Sequence, residues 1–85
     1  MRVVLKHTMN RIKNGFAASS PQLGIAAHGH SPEVARDNLG HSALLFLRPL
    51  GRQGILMEEL AKLGLEVQGE EGELIVVVTE EQAHE

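Results

Sequence analysis

The stretch NGFAASSPQLGIAAHGHSPEVARDNL, residues 14–39, decides the fold, because it holds the turn, loop and helix-start signals of the chain. Asn14-Gly15 is a favoured pair for a two-residue type I′ turn, in which both positions need a positive φ. The residues before it alternate as in a strand, so that one face carries Val3, Leu5, His7 and Met9. We therefore predict a hairpin with strands near 2–12 and 16–20.

A loop and a third strand follow the hairpin. Pro21 cannot donate to a strand ladder, so SPQLG is predicted to be a loop, and the third strand covers about Ile25–His28. Ser31 is an N-cap residue, Pro32 fits the first helical position and Glu33 lies in the first turn, where the helix dipole favours a carboxylate. These three residues predict the start of a helix.

The first helix is predicted to end near Arg48, because Pro49 breaks it. At about 100° per residue, one apolar stripe should face the sheet. It consists of Ala35, Leu39, Ala43, Phe46 and Leu50. Val34, Leu44 and Leu45 fall off that stripe, so the helix carries more apolar surface than one sheet covers.

A second helix is predicted over about Ile55–Leu63, after the break GRQG. Gly64 fits the left-handed position after its last turn, and Leu65 can pack back on Leu60, as in a Schellman motif. The segment GEEG at 69–72 is predicted to be a turn before the last strand. The unbroken apolar run Leu74–Val78 suggests that this strand is buried on both faces.

The predicted order is β-β-β-α-α-β, an α+β fold in which two helices cover one face of a three-stranded antiparallel hairpin sheet and a fourth strand follows the helices. With 85 residues, the chain is expected to be a single domain over 1–79, with a frayed acidic tail at 80–85.

Composition excludes several classes of protein. The chain has no cysteine, which rules out disulfides and thiolate zinc sites and, with no signal peptide, fits a cytoplasmic location. The longest apolar runs, Ala43–Leu47 and Leu74–Val78, are too short for a membrane span of about 20 residues. A net charge of -3 and 2% aromatic residues argue against direct binding of nucleic acid.

Three histidines near the strand–helix joint, His28, His30 and His41, are the candidates for a metal site. Gly29 separates the first two, and His41 lies about three turns into the helix, more than about 10 Å away at 1.5 Å per residue. We therefore expect surface histidines rather than metal ligands. The sequence also lacks a nucleophile elbow, a P-loop and a His-Glu-x-x-His stretch, so no catalytic residue and no cofactor are expected.

The pattern around the first helix start resembles the HicB-like antitoxin family, as a stand-alone N-terminal domain. In that family a hairpin leads through a Pro-x-Leu loop into a strand ending in Gly, and a Ser/Thr-x-Glu-x-Ala helix start follows. The matching residues are Pro21, Leu23, Gly29, Ser31, Glu33 and Ala35. The chain has Val34 where the family has a second acid. The resemblance implies a partial ribonuclease H-like sheet, whose fourth strand is interior and parallel to the first.

Members of that family mask HicA, a small basic mRNA-cleaving toxin, and many repress their own operon through a C-terminal DNA-binding domain. This chain ends about where that domain would begin. The resemblance therefore implies a non-enzymatic protein that binds a HicA-like toxin but not DNA. The alternative is an orphan regulator that binds a small molecule or metal near His28, His30 and His41. A nuclease would show metal-dependent RNA cleavage by the pure chain, and we expect none.

The surplus apolar surface of the first helix predicts a homo-oligomer, most simply a dimer. Val34, Leu44 and Leu45 are the candidate interface residues, since a two-fold contact would bury the same patch on both chains. In the alternative, the second helix folds back over Leu44 and Leu45, and the chain stays monomeric.

Overall fold

The first strand pairs with three of the other four strands in a five-stranded sheet. The structure, a computed structural model, describes residues 1–69 and 73–80. Its elements are β1 (Arg2–Ile12), β2 (Gly15–Ser20), β3 (Ile25–Gly29), α1 (Pro32–Arg52), α2 (Leu56–Leu63), β4 (Glu66–Gln68) and β5 (Ile75–Glu80). The predicted α+β class is confirmed. The order differs from the prediction by one strand, because the short β4 lies between α2 and the last strand.

Two groups of strands pair with different halves of β1. Its second half pairs antiparallel with β2, from Thr8 opposite Ser19 to Ile12 opposite Gly15, and β2 pairs antiparallel with β3. Its first half pairs antiparallel with β4 and parallel with β5. The chain therefore returns to β1 twice after the helices.

The side chain of Gln22 bridges the space between β2 and β4. Its Oε1 accepts a hydrogen bond from the Lys6 backbone N–H at 3.3 Å, and its Nε2 donates to the Gly64 carbonyl at 3.1 Å. Lys6 lies between the part of β1 that pairs with β4 and the part that pairs with β2. Gln22 thus links the loop before β3 to the turn after α2.

The helices cover the face of the sheet on which Val3, Leu5 and His7 of β1 lie. Val3, Leu5 and His7 are buried, while Arg2 and Lys6 on the other face are exposed. Helix α1 packs on β2, β3 and β5. It contributes a buried row of Ala35, Leu39, Ala43 and Leu47.

The hairpin turn differs from the predicted type I′. The two residues between the paired Ile12 and Gly15 are Lys13 and Asn14, and no residue other than glycine has a positive φ in the described part of the chain. Gly15 instead takes a φ of 153°, directly after the turn. A Cβ there would collide with the carbonyl of Gly29, so the hairpin needs glycine at this position for its close approach to β3.

Helix α1 is one turn longer than predicted, because Pro49 does not end it. Proline removes a donor and restricts the residue before it, but the carbonyls that follow are still satisfied. Pro49 O accepts from Gln53 N, and Leu50 O from Ile55 N, both at 3.0 Å. The buried row also departs from the predicted stripe: Leu47 is buried, whereas Phe46 is 46% exposed. The buried residues are spaced four apart, which is slightly more than one helical turn, so the row moves gradually around the helix. The predicted stripe assumed a constant direction and therefore missed Leu47.

The local signals at the helix ends are confirmed. Ser31 Oγ accepts a hydrogen bond from Val34 N at 3.2 Å, at the predicted N-cap of α1. Gly64 has a φ of 72°, and Leu65 N donates to Leu60 O at 3.0 Å, which completes the Schellman motif after α2. Both leucines are buried.

The last strand is an edge strand, contrary to the prediction of an interior one. Within the described residues β5 pairs with β1 alone, and its parallel direction agrees with the expectation. The predicted burial on both faces is also wrong, because Ile75 is 44% exposed and Val77 is only partly buried. Most of the predicted turn at 69–72 and of the predicted tail at 80–85 lies outside the described residues.

Candidate functional site

The three histidines singled out by sequence do not form a ligand set. His28 in β3, His30 just before α1 and His41 in α1 are all exposed. The backbone carbonyl of His28 accepts a hydrogen bond from Asn38 Nδ2 at 2.7 Å, which ties the end of β3 to α1. In residues 1–69 and 73–80, no group of three or more His, Asp or Glu side chains is arranged to hold a metal ion.

The three residues proposed for an oligomer interface lie on α1 with different exposures. Leu45 is 52% exposed, and its neighbour Phe46 is 46% exposed. Val34 and Leu44 are partly buried. A Cβ on Gly29 would lie 2.8 Å from Val34 Cγ1, so Val34 packs on the end of β3. Leu45 is therefore the most available of the three for a contact with another chain.

A fourth histidine, His7, is the buried polar group that sequence reasoning did not treat as functional. It is 1% exposed, on the face of β1 that packs under the helices. Its Nδ1 lies 2.6 Å from the carbonyl oxygen of Thr79. A carbonyl only accepts, so Nδ1 carries the proton. Its Nε2 is buried and has no hydrogen-bond partner among the described residues. The ring thus joins β1 to the end of β5.

The edge of β5 away from β1 has no partner strand among the described residues. Its residues Ile75 to Thr79 read Ile-Val-Val-Val-Thr, without proline, glycine or a charge. On the face opposite the helices, register places Ile75 beside Arg2 and Thr79 beside Lys6. These two exposed cations lie one strand inward, at about 4.8 Å. The edge itself is uncharged over five residues, four of which are apolar.

Charge is divided unevenly between the two parts of the chain. Residues 1–65 hold all eight Lys and Arg but only four of the eleven Asp and Glu, whereas residues 66–85 hold the other seven acids. Strands β4 and β5 belong to the acidic part and pair with the same end of β1. Glu66 and Glu73 are exposed there. This end of the sheet thus carries Glu66 and Glu73, from the acidic part of the chain, beside the exposed cations Arg2 and Lys6 of β1.

No helix in the described part of the chain is long and apolar enough to cross a membrane. Comparisons with protein-family models, with curated proteins and with solved structures found no match. The resemblance to HicB-like antitoxins therefore depends on the motif residues quoted above.

Two of these three features, the buried His7 and the charge division, have a signal in the sequence. The alternation of β1 places His7 among apolar residues, which indicates a histidine at a core position. The absence of Lys and Arg after residue 65 indicates the acidic end of the molecule. The free edge of β5 had no such signal, because a continuous apolar run fits an interior strand equally well.

Proposed function

We propose that the chain is a non-enzymatic interaction protein, an antitoxin-like module of the HicB-like type that masks a small basic HicA-like mRNA-cleaving toxin. The observation that carries the proposal is the charge division, with seven acids and no Lys or Arg in residues 66–85. Opposite charges across an interface speed the encounter and orient the partners. A basic protein is therefore the partner that the charge of residues 66–85 favours.

The motif around the start of α1 supports the same proposal. Ser31 caps the helix and Gly29 packs against its first turn, so two motif positions have defined structural roles in this fold. These roles concern the fold, so the motif supports a HicB-like type of module. The acidic charge of residues 66–85 supports a basic partner.

Affinity capture from the source cells, read by mass spectrometry at low and high salt, tests the proposal. We expect a small basic protein that is retained at low salt and released at high salt, because exposed charges are screened. The recovered protein should cleave RNA, and the chain should inhibit the cleavage. Recovery of no small basic protein at any salt would count against the proposal.

Matched charge variants identify the surface that binds. Glu66→Gln with Glu73→Gln removes two exposed carboxylates at the acidic end, and Glu33→Gln with Asp37→Asn removes two exposed carboxylates from α1. We expect the first pair to weaken binding of the captured protein by about tenfold, corresponding to 1.4 kcal/mol. The second pair should change it by less than about threefold. Equal effects of both pairs would mean that Glu66 and Glu73 do not lie at the surface that binds the partner.

A regulator that binds a metal or small molecule is distinguished by thermal stability. If that alternative held, a metal or metabolite would raise the melting temperature of the chain, and His28→Ala would abolish the increase. We expect no such ligand, because the exposed positions of His28, His30 and His41 favour solvated side chains.

A further inference from the structure

Strand β5 presents a backbone edge that has no partner in the described part of the chain. Its other edge pairs with β1 along the whole strand, with Ile75 opposite Arg2 and Glu80 opposite His7. Backbone groups of a strand point alternately to its two sides, so the free side presents a row of N–H and C=O groups. Such a row is a template for another strand.

The other two outer strands are better protected than β5. Strand β4 has only three residues. At the end of β3, the His28 carbonyl is bonded to the Asn38 side chain of α1 at 2.7 Å. Natural proteins protect exposed edges with charges, prolines, bulges or short strands, and Ile75 to Thr79 contain no charged residue or proline. This edge is therefore suited to pairing with another polypeptide.

The charges around β5 decide which polypeptide fits. In sequence, acids at positions 70, 71 and 73 precede the strand, and acids at 80, 81 and 85 end or follow it. In antiparallel pairing of two copies, the Glu73 end of one β5 would lie next to the Glu80 end of the other, and like charges so placed are destabilising. A strand with Lys or Arg at its ends would instead be attracted to the acids that flank β5, since the cations Arg2 and Lys6 lie on β1, one strand further from the added strand.

We propose that the free edge of β5 binds an extended segment of a partner protein, apolar at alternate positions and flanked by Lys or Arg, which adds to the sheet next to β5. Backbone hydrogen bonds provide the affinity in this mode of binding, and the side chains provide the selectivity. The inference rests on the proposed function for the basic character of the partner, and it assigns the contact to one strand.

Three synthetic peptides test the proposal on the isotope-labelled full chain. One has an alternating Val-Thr core with lysines at both ends, the second has glutamates in place of the lysines, and the third has the lysines and a proline in the core. We expect the first peptide alone to shift the amide NMR signals of Ile75 to Thr79. It should slow hydrogen exchange at Val76 and Val78, whose N–H groups face the free edge because the Ile75 N–H donates to Met1 O on the β1 side. Its affinity should fall several-fold when salt rises from about 0.05 to about 0.2 M.

Ile75 on β5 and Ile12 at the hairpin end are exposed to a similar extent, 44% and 39%. A lysine at Ile75 therefore tests the edge, and a lysine at Ile12 is its matched control. We expect Ile75→Lys to weaken binding of the lysine-flanked peptide at least about tenfold, and Ile12→Lys to leave it within about twofold. An unchanged spectrum for residues away from the substitution shows that each variant is folded.

Three results would overturn the proposal. They are peptide-induced shifts away from β5, equal binding of the glutamate-flanked peptide, and β5 amide signals that move with chain concentration in the absence of peptide. The third result would assign the edge to a second copy of this chain. If the captured basic protein binds Ile75→Lys as well as the unaltered chain, the proposed function stands and the edge proposal fails. If the peptide binds at β5 but no basic protein is captured, the edge proposal stands and the proposed function fails.

Discussion

At Gly29 the last residue of β3 packs against the first turn of α1. A Cβ there would lie 2.5 Å from Ala35 N and 2.8 Å from Val34 Cγ1, and the first of these atoms belongs to a helix backbone that cannot easily move. We expect Gly29→Ala to lower the free energy of unfolding by about 1–3 kcal/mol through overpacking. Denaturation with urea measures the change.

Gly51 in α1 provides the control for that substitution. A Cβ there would meet only Leu56 Cδ2, at an ordinary distance of 3.8 Å. Alanine is the better helix former by about 1 kcal/mol, so Gly51→Ala should leave stability unchanged or raise it by up to about that amount. If both variants lost stability to the same extent, close packing at Gly29 would not be the cause.

His7 shows what a sequence can and cannot give for a single residue. Alternation places it on one face of β1 with Val3 and Leu5, and the structure buries all three. Its hydrogen-bond partner could not be predicted, because the Thr79 carbonyl lies 72 residues further along the chain. Only the pairing of β5 with β1 brings the two together.

Between elements, the side chain of Gln22 connects β1, the loop before β3 and the turn after α2. We expect Gln22→Ala to lower the free energy of unfolding by about 1–2 kcal/mol, since it removes two partly exposed hydrogen bonds. Gln22→Glu should also lose stability, because a carboxylate oxygen would repel the Gly64 carbonyl, but it keeps the acceptor for Lys6 N. Hydrogen exchange at the Lys6 amide should accelerate in the alanine variant. Equal exchange in both variants and the unaltered chain would mean that the bridge does not form in solution.

The elements that were predicted correctly have their causes within a few residues. Ser31 caps α1 through Val34 N, and Gly64 ends α2 with a left-handed φ, so both signals act across one helical turn. Helix α1 continues past Pro49, with Pro49 O bonded to Gln53 N and Leu50 O to Ile55 N, although the local preference of proline predicts an end there. The short β4 depends on pairing with the start of β1 and has only three residues, too few to show a periodic pattern.

For the whole molecule, the charge division was readable from the sequence, but its arrangement was not. The acids follow residue 65 in the chain, and Glu66 and Glu73 lie near the same half of β1 only because β4 and β5 both return to it. The edge position of β5 likewise depends on pairing across the entire chain. An apolar run of five residues indicates burial or an interface, and the fold leaves the second possibility open for β5.

The association of two whole chains remains a prediction, and the structure suggests how to test it. Helix α2 does not cover Leu45, which is 52% exposed, so the apolar surface expected to form the dimer is available. Burying apolar surface contributes about 25 cal/mol per Å², and a two-fold contact buries the patch twice. Light scattering after size exclusion should give about twice 9.2 kDa. Leu45→Glu should yield the monomer, while Met57→Glu, altered at a side chain 51% exposed on α2, should stay dimeric. A species of 9.2 kDa at high concentration would contradict the prediction, because Leu45 would then stay exposed to water without a partner.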